Sequence, residues 1–326
     1  MENKELAINW SEDILVSEED SHWSYSPDIG ALNTTVHILW SDAKGAGYYR
    51  PFLWYAKSLD GGKTWKERNL STRGYASQMG INDNALHIAF EGSGFEVYYK
   101  RSLDNGDNWG LDILLSENDG YISWAPQIAV SGDNIHVVWT EKEKYWPPKL
   151  YGEIVYMRST DNGNTWDDGQ GNEGIARRLT YNFSDSEKPL VAVNGTTIHI
   201  FWRDNRYGNY EVFYKRSDDN GAMWSEDKNI TVVDSVSSDP YDVVVDGNKI
   251  YLVGYDMMWF GSVSESYWGV WFIYSNDSGK TWNNITYLAP LAKRYAIAPS
   301  IAVSGNQLYV VWYDNRSTPD TNPEDS

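Results

Sequence analysis

The stretch EVFYKRSDDNGAMW, residues 211–224, holds the pattern that decides the fold. Its first half is rich in aromatic and β-branched side chains and reads as a strand. Its second half, SDDNGAMW, reads as a hairpin turn, with Gly221 taking a positive φ and Asp219 bonding the turn backbone. Trp224 then packs back as a wedge. Four further segments repeat S-x-D-x-G-x-x-W: SLDGGKTW (58–65), SLDNGDNW (102–109), STDNGNTW (159–166) and SNDSGKTW (275–282). Each follows a similar run: LWYAK, EVYYKR, IVYMR and VWFIY.

Outward from these turns, a second unit precedes each one. It is a pair of strands joined by a Gly- or Asn-containing turn. Six copies begin at Pro27, Ser77, Pro126, Pro189, Pro240 and Pro299. The repeat runs to roughly 45–60 residues, the scale of a four-stranded propeller blade. The sixth copy has no third strand or turn after it. The N-terminal NWSEDILVSEED (9–20) matches NWGLDILLSEND (108–119), the outer strand after the second turn. The expected fold is therefore all-β, a six-bladed β-propeller over residues 1–316 with a tail at 317–326. The N-terminal strand is expected to close the ring by pairing onto the sheet of residues 308–312, removing an exposed edge.

Composition narrows the function. The chain has 326 residues, 17 Trp and 24 Tyr, so a large aromatic core is available. Its net charge of -19 repels phosphate backbones, and nucleic acid is not an expected partner. It has no Cys, which excludes disulfides and thiolate metal sites. No apolar run approaches the roughly 18 residues of a membrane span. Triplets N-x-S/T begin at Asn33, Asn69, Asn182, Asn194, Asn229, Asn276, Asn284 and Asn315, which fits glycosylation of a secreted chain.

The five turns resemble the Asp boxes (BNR repeats) of the sialidase superfamily and related propellers, along nearly the whole chain. The resemblance implies that Asp60, Asp104, Asp161, Asp219 and Asp277 are structural, and that a ligand binds on the opposite loop face. It also implies an extracellular or cell-surface location. A sialidase clamps its sugar carboxylate with three Arg and uses a Tyr–Glu pair and an acid/base Asp. Here Tyr25-Ser26-Pro27 stands where the first Arg is expected, and residues 45–55 hold no carboxylate. The expectation is a propeller that binds or hydrolyses glycans without true sialidase activity. The alternative is a non-catalytic protein-interaction propeller at the cell surface.

Candidate site residues come from the ends of the second strands and from loops that break the repeat. Asp42, Glu141, Asp204, Asp256 and Asp314, with Glu91 beside them, are candidate catalytic carboxylates. Trp146, Arg203, Arg206, Trp259, Trp268, Arg294, Tyr295 and Arg316 are candidate ligand-binding residues, through stacking and charge. His37, His87, His136 and His199 recur at one repeat position and read as packing. No cofactor is expected; Ca²⁺ on the acidic rim is weakly supported, because no D-x-D-x-D loop occurs.

Overall fold

The computed structural model describes residues 12–17, 22–44, 51–71, 73–117, 119–143, 151–258, 266–292 and 296–315. They form 22 strands and one short 3-10 turn at Ser93–Phe95, with no α-helix among them. The strands make six antiparallel sheets, five of four strands and one of two.

The first sheet holds β1 (Ser24–Leu32), β2 (Thr35–Asp42), β3 (Phe52–Ser58) and β4 (Lys66–Ser71). The second holds β5 (Tyr75–Asn82), β6 (Ala85–Glu91), β7 (Val97–Ser102) and β8 (Ile113–Leu114). The third holds β9 (Tyr121–Ser131), β10 (Asn134–Glu143), β11 (Glu153–Ser159) and β12 (Arg177–Arg178). The fourth holds β13 (Ser186–Asn194), β14 (Thr197–Asp204), β15 (Glu211–Ser217) and β16 (Lys228–Asn229). The fifth holds β17 (Ser237–Asp246), β18 (Lys249–Met258), β19 (Tyr267–Ser275) and β20 (Thr286–Ala292). The sixth holds β21 (Ala296–Ser304) and β22 (Gln307–Asp314) alone.

The first strand of each sheet packs against the first strand of the next, from β1 through β21. The second strands that lie between two neighbouring sheets are apolar on both faces. Val137 and Trp139 of β10 face back into the second sheet's core with Tyr99 and Leu115. Val138 of the same strand faces forward onto Ile200 and Trp202.

One contact repeats in each of the first four sheets. The third-strand Tyr shares a hydrogen bond with Nδ1 of the second-strand His: Tyr55–His37 at 2.8 Å, Tyr99–His87 at 2.6 Å, Tyr156–His136 at 2.9 Å and Tyr214–His199 at 2.8 Å. Each Tyr ring meets the turn Trp of the following sheet edge-on, as Tyr99 meets Trp166 at 4.7 Å. Burial drives the His pKa values down, to about 4 for His87 and His199 and about 3 for His136, so the rings are neutral.

The S-x-D-x-G-x-x-W turns share one hydrogen-bond scheme. Ser159 Oγ donates to Asp161 Oδ1 at 2.8 Å, and the Gly163 and Thr165 amides donate to Ser159 Oγ and Asp161 Oδ1 at 2.8 and 2.9 Å. The amides of Asn108, Thr64, Met223 and Thr281 likewise donate to Asp104, Asp60, Asp219 and Asp277. Donation by backbone and side chain holds Asp104 and Asp277 down at about 2. The residue before the turn Gly also bonds the hairpin turn between the first two strands, as the Asn162 amide bonds Asp133 O at 3.0 Å. Both turns therefore lie at one end of each sheet.

The N-terminal segment departs from expectation. Residues 12–17 form no strand, and the only described partner of β22 is β21. A fourth strand pairs with a third, and no described third strand stands beside β22. Residues 14–17 instead share a small cavity with Ile38 and Trp40 of the first sheet.

Candidate functional site

The end of the sheets away from the turns carries the site. There each first strand begins with a bulge, so its pairing with the second strand shifts at residues 25–28, 75–78, 187–190, 240–242 and 297–300, and opposite Val138–Thr140 in the third sheet. Four bulges centre on a residue before Pro with positive φ: Ser26 at 51°, Ala125 at 52°, Lys188 at 52° and Ala298 at 53°. That backbone is costly for a non-Gly residue and re-aims the strand.

The bulges of the first five sheets open onto one cavity of about 520 Å³. Its wall includes Ser26, Tyr75, Glu91, Trp124, Lys188, Asp239, Tyr241 and Tyr255. A second cleft of about 530 Å³ adjoins it and shares Ser26, Tyr75 and Glu91. That cleft adds Trp23, Tyr25, Arg73 and Phe95, with the Arg73 guanidinium 5.0 Å from the Phe95 ring centre.

Two carboxylates of the cavity are driven apart in pKa. Burial pushes Glu91 up to about 7, against the pull of the Arg73 charge. Burial alone would raise Asp239 too. The cations of Lys188 and Arg203 outweigh it and hold Asp239 below the usual carboxylate range. Lys188 Nζ lies 2.9 Å from Asp239 Oδ2, and Arg203 Nη1 lies 3.1 Å from it. The Tyr255 hydroxyl donates to the same oxygen at 3.0 Å. A carboxyl that can be neutral near pH 7 and one fixed as an anion are the complement that acid–base chemistry requires.

Behind this pair the charges alternate across three sheets. Arg203 Nη2 bonds Glu187 Oε2 at 2.7 Å and stacks over Tyr210 at 4.2 Å. Lys142 bonds Asp185 at 2.6 Å and Glu187 at 3.3 Å. Each carboxylate has a cation in contact, which is what burial of so many charges demands.

Of the carboxylates singled out in the sequence, Glu91 lines the cavity; the other five stand elsewhere, each in its own sheet. Asp42 accepts from Ser24 Oγ at 2.9 Å and from Trp40 Nε1 at 3.2 Å. Asp204 accepts from Ser186 Oγ, Trp202 Nε1 and the Arg206 guanidinium. Asp256 accepts from Ser238 Oγ at 2.7 Å and from the Tyr287 hydroxyl. Glu141 lies 3.4 Å from Ser123 Oγ, and Asp314 accepts from Trp312 Nε1 at 3.2 Å. None of the five lines the central cavity.

Of the candidate binding residues, Arg203 belongs to the charge network and Arg206 bridges Asp204 and Asp227. The Trp268 ring lies 5.9 Å from that of Tyr255. Trp146, Trp259, Arg294, Tyr295 and Arg316 fall outside the described residues. Lys188, Asp239, Tyr255, Tyr75 and Arg73 went unread in the sequence. The signal that could have found two of them is X-Pro in an otherwise regular first strand: Lys188-Pro189 and Asp239-Pro240. Among the described residues no group of three or more His, Cys, Asp or Glu could hold a metal ion. No described helix is long and apolar enough to cross a membrane.

No family model matches the chain. It is similar in structure to a PL25 polysaccharide lyase, an ulvan lyase bound to -[GlcA(1-4)Rha3S]-, with TM-score 0.61, 15% identity and coverage of 86% of this chain and 73% of that one. It is similar also to Trypanosoma rangeli sialidase in complex with sialic acid, with TM-score 0.56, 15% identity and coverage of 90% of this chain. This chain spans about half of the sialidase, 52% of its length. Both are β-propellers, and at this identity the likeness is one of fold.

Proposed function

We propose that the chain is an extracellular, six-bladed Asp-box propeller that cleaves an acidic glycan at the central cavity. The observation that carries this reading is the Glu91–Asp239 pair: two carboxyls on one cavity, one raised to about 7 and one held low by Lys188 and Arg203. Glu91 donates a proton to the departing sugar oxygen, and ionised Asp239, through Tyr255 or a water, accepts one. Trp23, Tyr75 and Phe95 supply the faces on which sugar rings stack. Arg73 and Lys188 supply positive charge for an acidic sugar, in keeping with the GlcA and sialic acid held by the two neighbours. The reading invokes no cofactor.

Asp42, Asp204, Asp256 and Asp314 tie strand ends together in this reading. Sialoside cleavage is not proposed. Arg203 and Arg206, two of the candidate ligand-binding residues, are each already bonded to carboxylates on two sides. The test is incubation with neutral and uronate-containing polysaccharides. New reducing ends report hydrolysis, and the ultraviolet absorbance of an unsaturated uronate reports elimination. Glu91→Gln should abolish either signal while preserving the fold. Unchanged turnover in that variant would refute the assignment.

The six-bladed part of the reading rests on Val16. It shares a cavity with Ile38 and Trp40. By the match of the two sequences it corresponds to Leu115, which packs in the same core as Val137 and Trp139. Val16 thus takes the outer-strand place of a blade that precedes the first sheet.

A further inference from the structure

The junction between the fourth and fifth sheets holds a cleft of about 560 Å³, apart from the central cavity. Residues 228–234 and 282–287 supply its walls, and the buried Ser238 and Asp256 line it as well. Lys228 gives its ammonium to Lys280 O at 2.9 Å.

The same place one sheet earlier is filled by the chain itself. Asn182 Nδ2 and Ser184 Oγ donate to Asp204 at 3.2 and 3.1 Å, and Trp202 Nε1 donates at 3.2 Å. Arg206 holds Asp204 with Nε and Nη2 at 2.9 and 2.8 Å and bridges on to Asp227 at 2.9 Å. In the fifth sheet these donors are gone. Counted back from the first-strand serine, Asn182 and Ser184 become Asp234 and Val236. Counted from the second-strand aspartate, Trp202 and Arg206 become Gly254 and Met258. Two residues after that aspartate, the first, fourth and sixth copies carry Lys44, Arg206 and Arg316, and the fifth carries no cation.

Asp256 keeps its serine, Ser238 Oγ at 2.7 Å, and gains the Tyr287 hydroxyl. Burial works to raise both aspartates. Around Asp204 the Arg206 and Ser186 bonds outweigh it and hold the carboxyl below its usual range. Asp256 stays above that range, and Asp234 adds repulsion. Behind the wall, the fully buried Glu211 takes the Thr231 hydroxyl on Oε2, and its Oε1 has no side-chain donor. Among the described residues no group of carboxyls could hold a metal ion. What fits them is a broader cation, with N–H donors on two sides. Residues 259–265, which follow Met258, contain no Arg or Lys to supply one.

We propose that the cleft between the fourth and fifth sheets binds a guanidinium group, which bridges Asp256 and Asp234 as Arg206 bridges Asp204 and Asp227. The planar fork of a guanidinium matches a carboxylate with two parallel bonds, which an ammonium cannot do. Ile230 and Ile285 line the cleft for the apolar stem of such a ligand. The net charge of -19 draws cations toward the chain. An arginine side chain of a peptide and a free alkylguanidine share this chemistry.

The test is calorimetric titration of the whole chain with butylguanidine, butylamine, agmatine and the capped peptide acetyl-Gly-Arg-Gly-amide. Butylguanidine should bind saturably, and roughly tenfold more tightly than butylamine. A peptide that binds more tightly than agmatine assigns the cleft to an arginine side chain, and the reverse order assigns it to a free small molecule. Asp256→Asn should weaken butylguanidine by roughly tenfold or more. Asp234→Asn, at an exposed residue, should weaken it with the fold intact. Met258→Arg should abolish binding and raise the melting temperature, because it supplies the missing group from the chain. No binding, equal affinity for the amine and the guanidine, or an affinity unmoved by both Asn variants would overturn the proposal. So would binding that appears only in Arg294→Ala, because the chain would then be filling the cleft itself.

Discussion

Tyr156 of the third sheet lies directly beneath Gly221 of the fourth, so close that a Cβ on the glycine would collide with the tyrosine hydroxyl. That hydroxyl is also bonded to His136, and the Tyr156 ring meets Trp224 at 5.0 Å. The glycine is thus required twice, by its φ of 89° and by the neighbouring sheet.

Gly221→Ala is expected to cost about 1 kcal/mol for backbone strain and a further 1–3 kcal/mol for overpacking. Gly62→Ala, at a φ of 91° where among the described residues a Cβ would meet only the Trp65 ring at an ordinary 3.6 Å, is expected to cost the strain alone. Denaturant unfolding of both variants checks this. Equal costs would show that the sheets do not lock through these turns.

Asp239→Asn should destabilise the fold by roughly 3–5 kcal/mol, because it strips a buried carboxylate from two cations. Lys188, whose side chain is 40% exposed, can turn to solvent when the partner is lost, but Arg203 cannot easily do so. Lys188→Met should therefore cost less than Asp239→Asn. The reverse order would contradict the assigned network.

The pH dependence of stability follows from two opposed sets of groups. His87, His136 and His199 are depressed on folding, so their stabilisation is full above 6.5 and is lost as pH falls toward 3–4. Glu91, Glu153 and Glu211 are raised to about 7 by burial, so theirs is full below 4.5 and is lost as pH rises through 7. Between 4.5 and 6.5 the two oppose each other. Below about 4 the loss from His87 and His199 is complete and only that from His136 continues, while the turn aspartates Asp104 and Asp277 begin to lose theirs as pH falls toward about 2. Melting temperatures should vary little from pH 6.5 to 4.5 and drop steeply below 4. A steady decline from 6.5 would show that the glutamates are not raised.

The sequence carried the repeat because its physics is local. A turn aspartate, a glycine and a wedge tryptophan stand at fixed spacing, and each repeat reports the same contact. The second-strand histidines were legible as packing for the same reason. Of the cavity, only Glu91 was legible, as a carboxylate at the end of a second strand. Glu91, Lys188, Asp239 and Tyr255 come from the second, fourth and fifth sheets, at different strand positions, and meet only because the first strands of five sheets open onto one cavity. The conspicuous carboxylates, Asp42, Asp204 and Asp256, repeat because each bonds a serine at the start of its own first strand. The raised pKa of Glu91 comes mainly from burial, which has no sequence signature.

The central claim is that Glu91 acts as a proton donor at the cavity, and the pH–rate profile of a cleaved glycan tests it most directly. A donor must be protonated, so kcat/KM should fall as pH rises through about 7. In Glu91→Gln that limb should vanish and the rate should drop by roughly 10²–10⁴, with glycan binding retained. A profile whose basic limb survives in Glu91→Gln, or a rate lost instead in Asp256→Asn, would contradict the account.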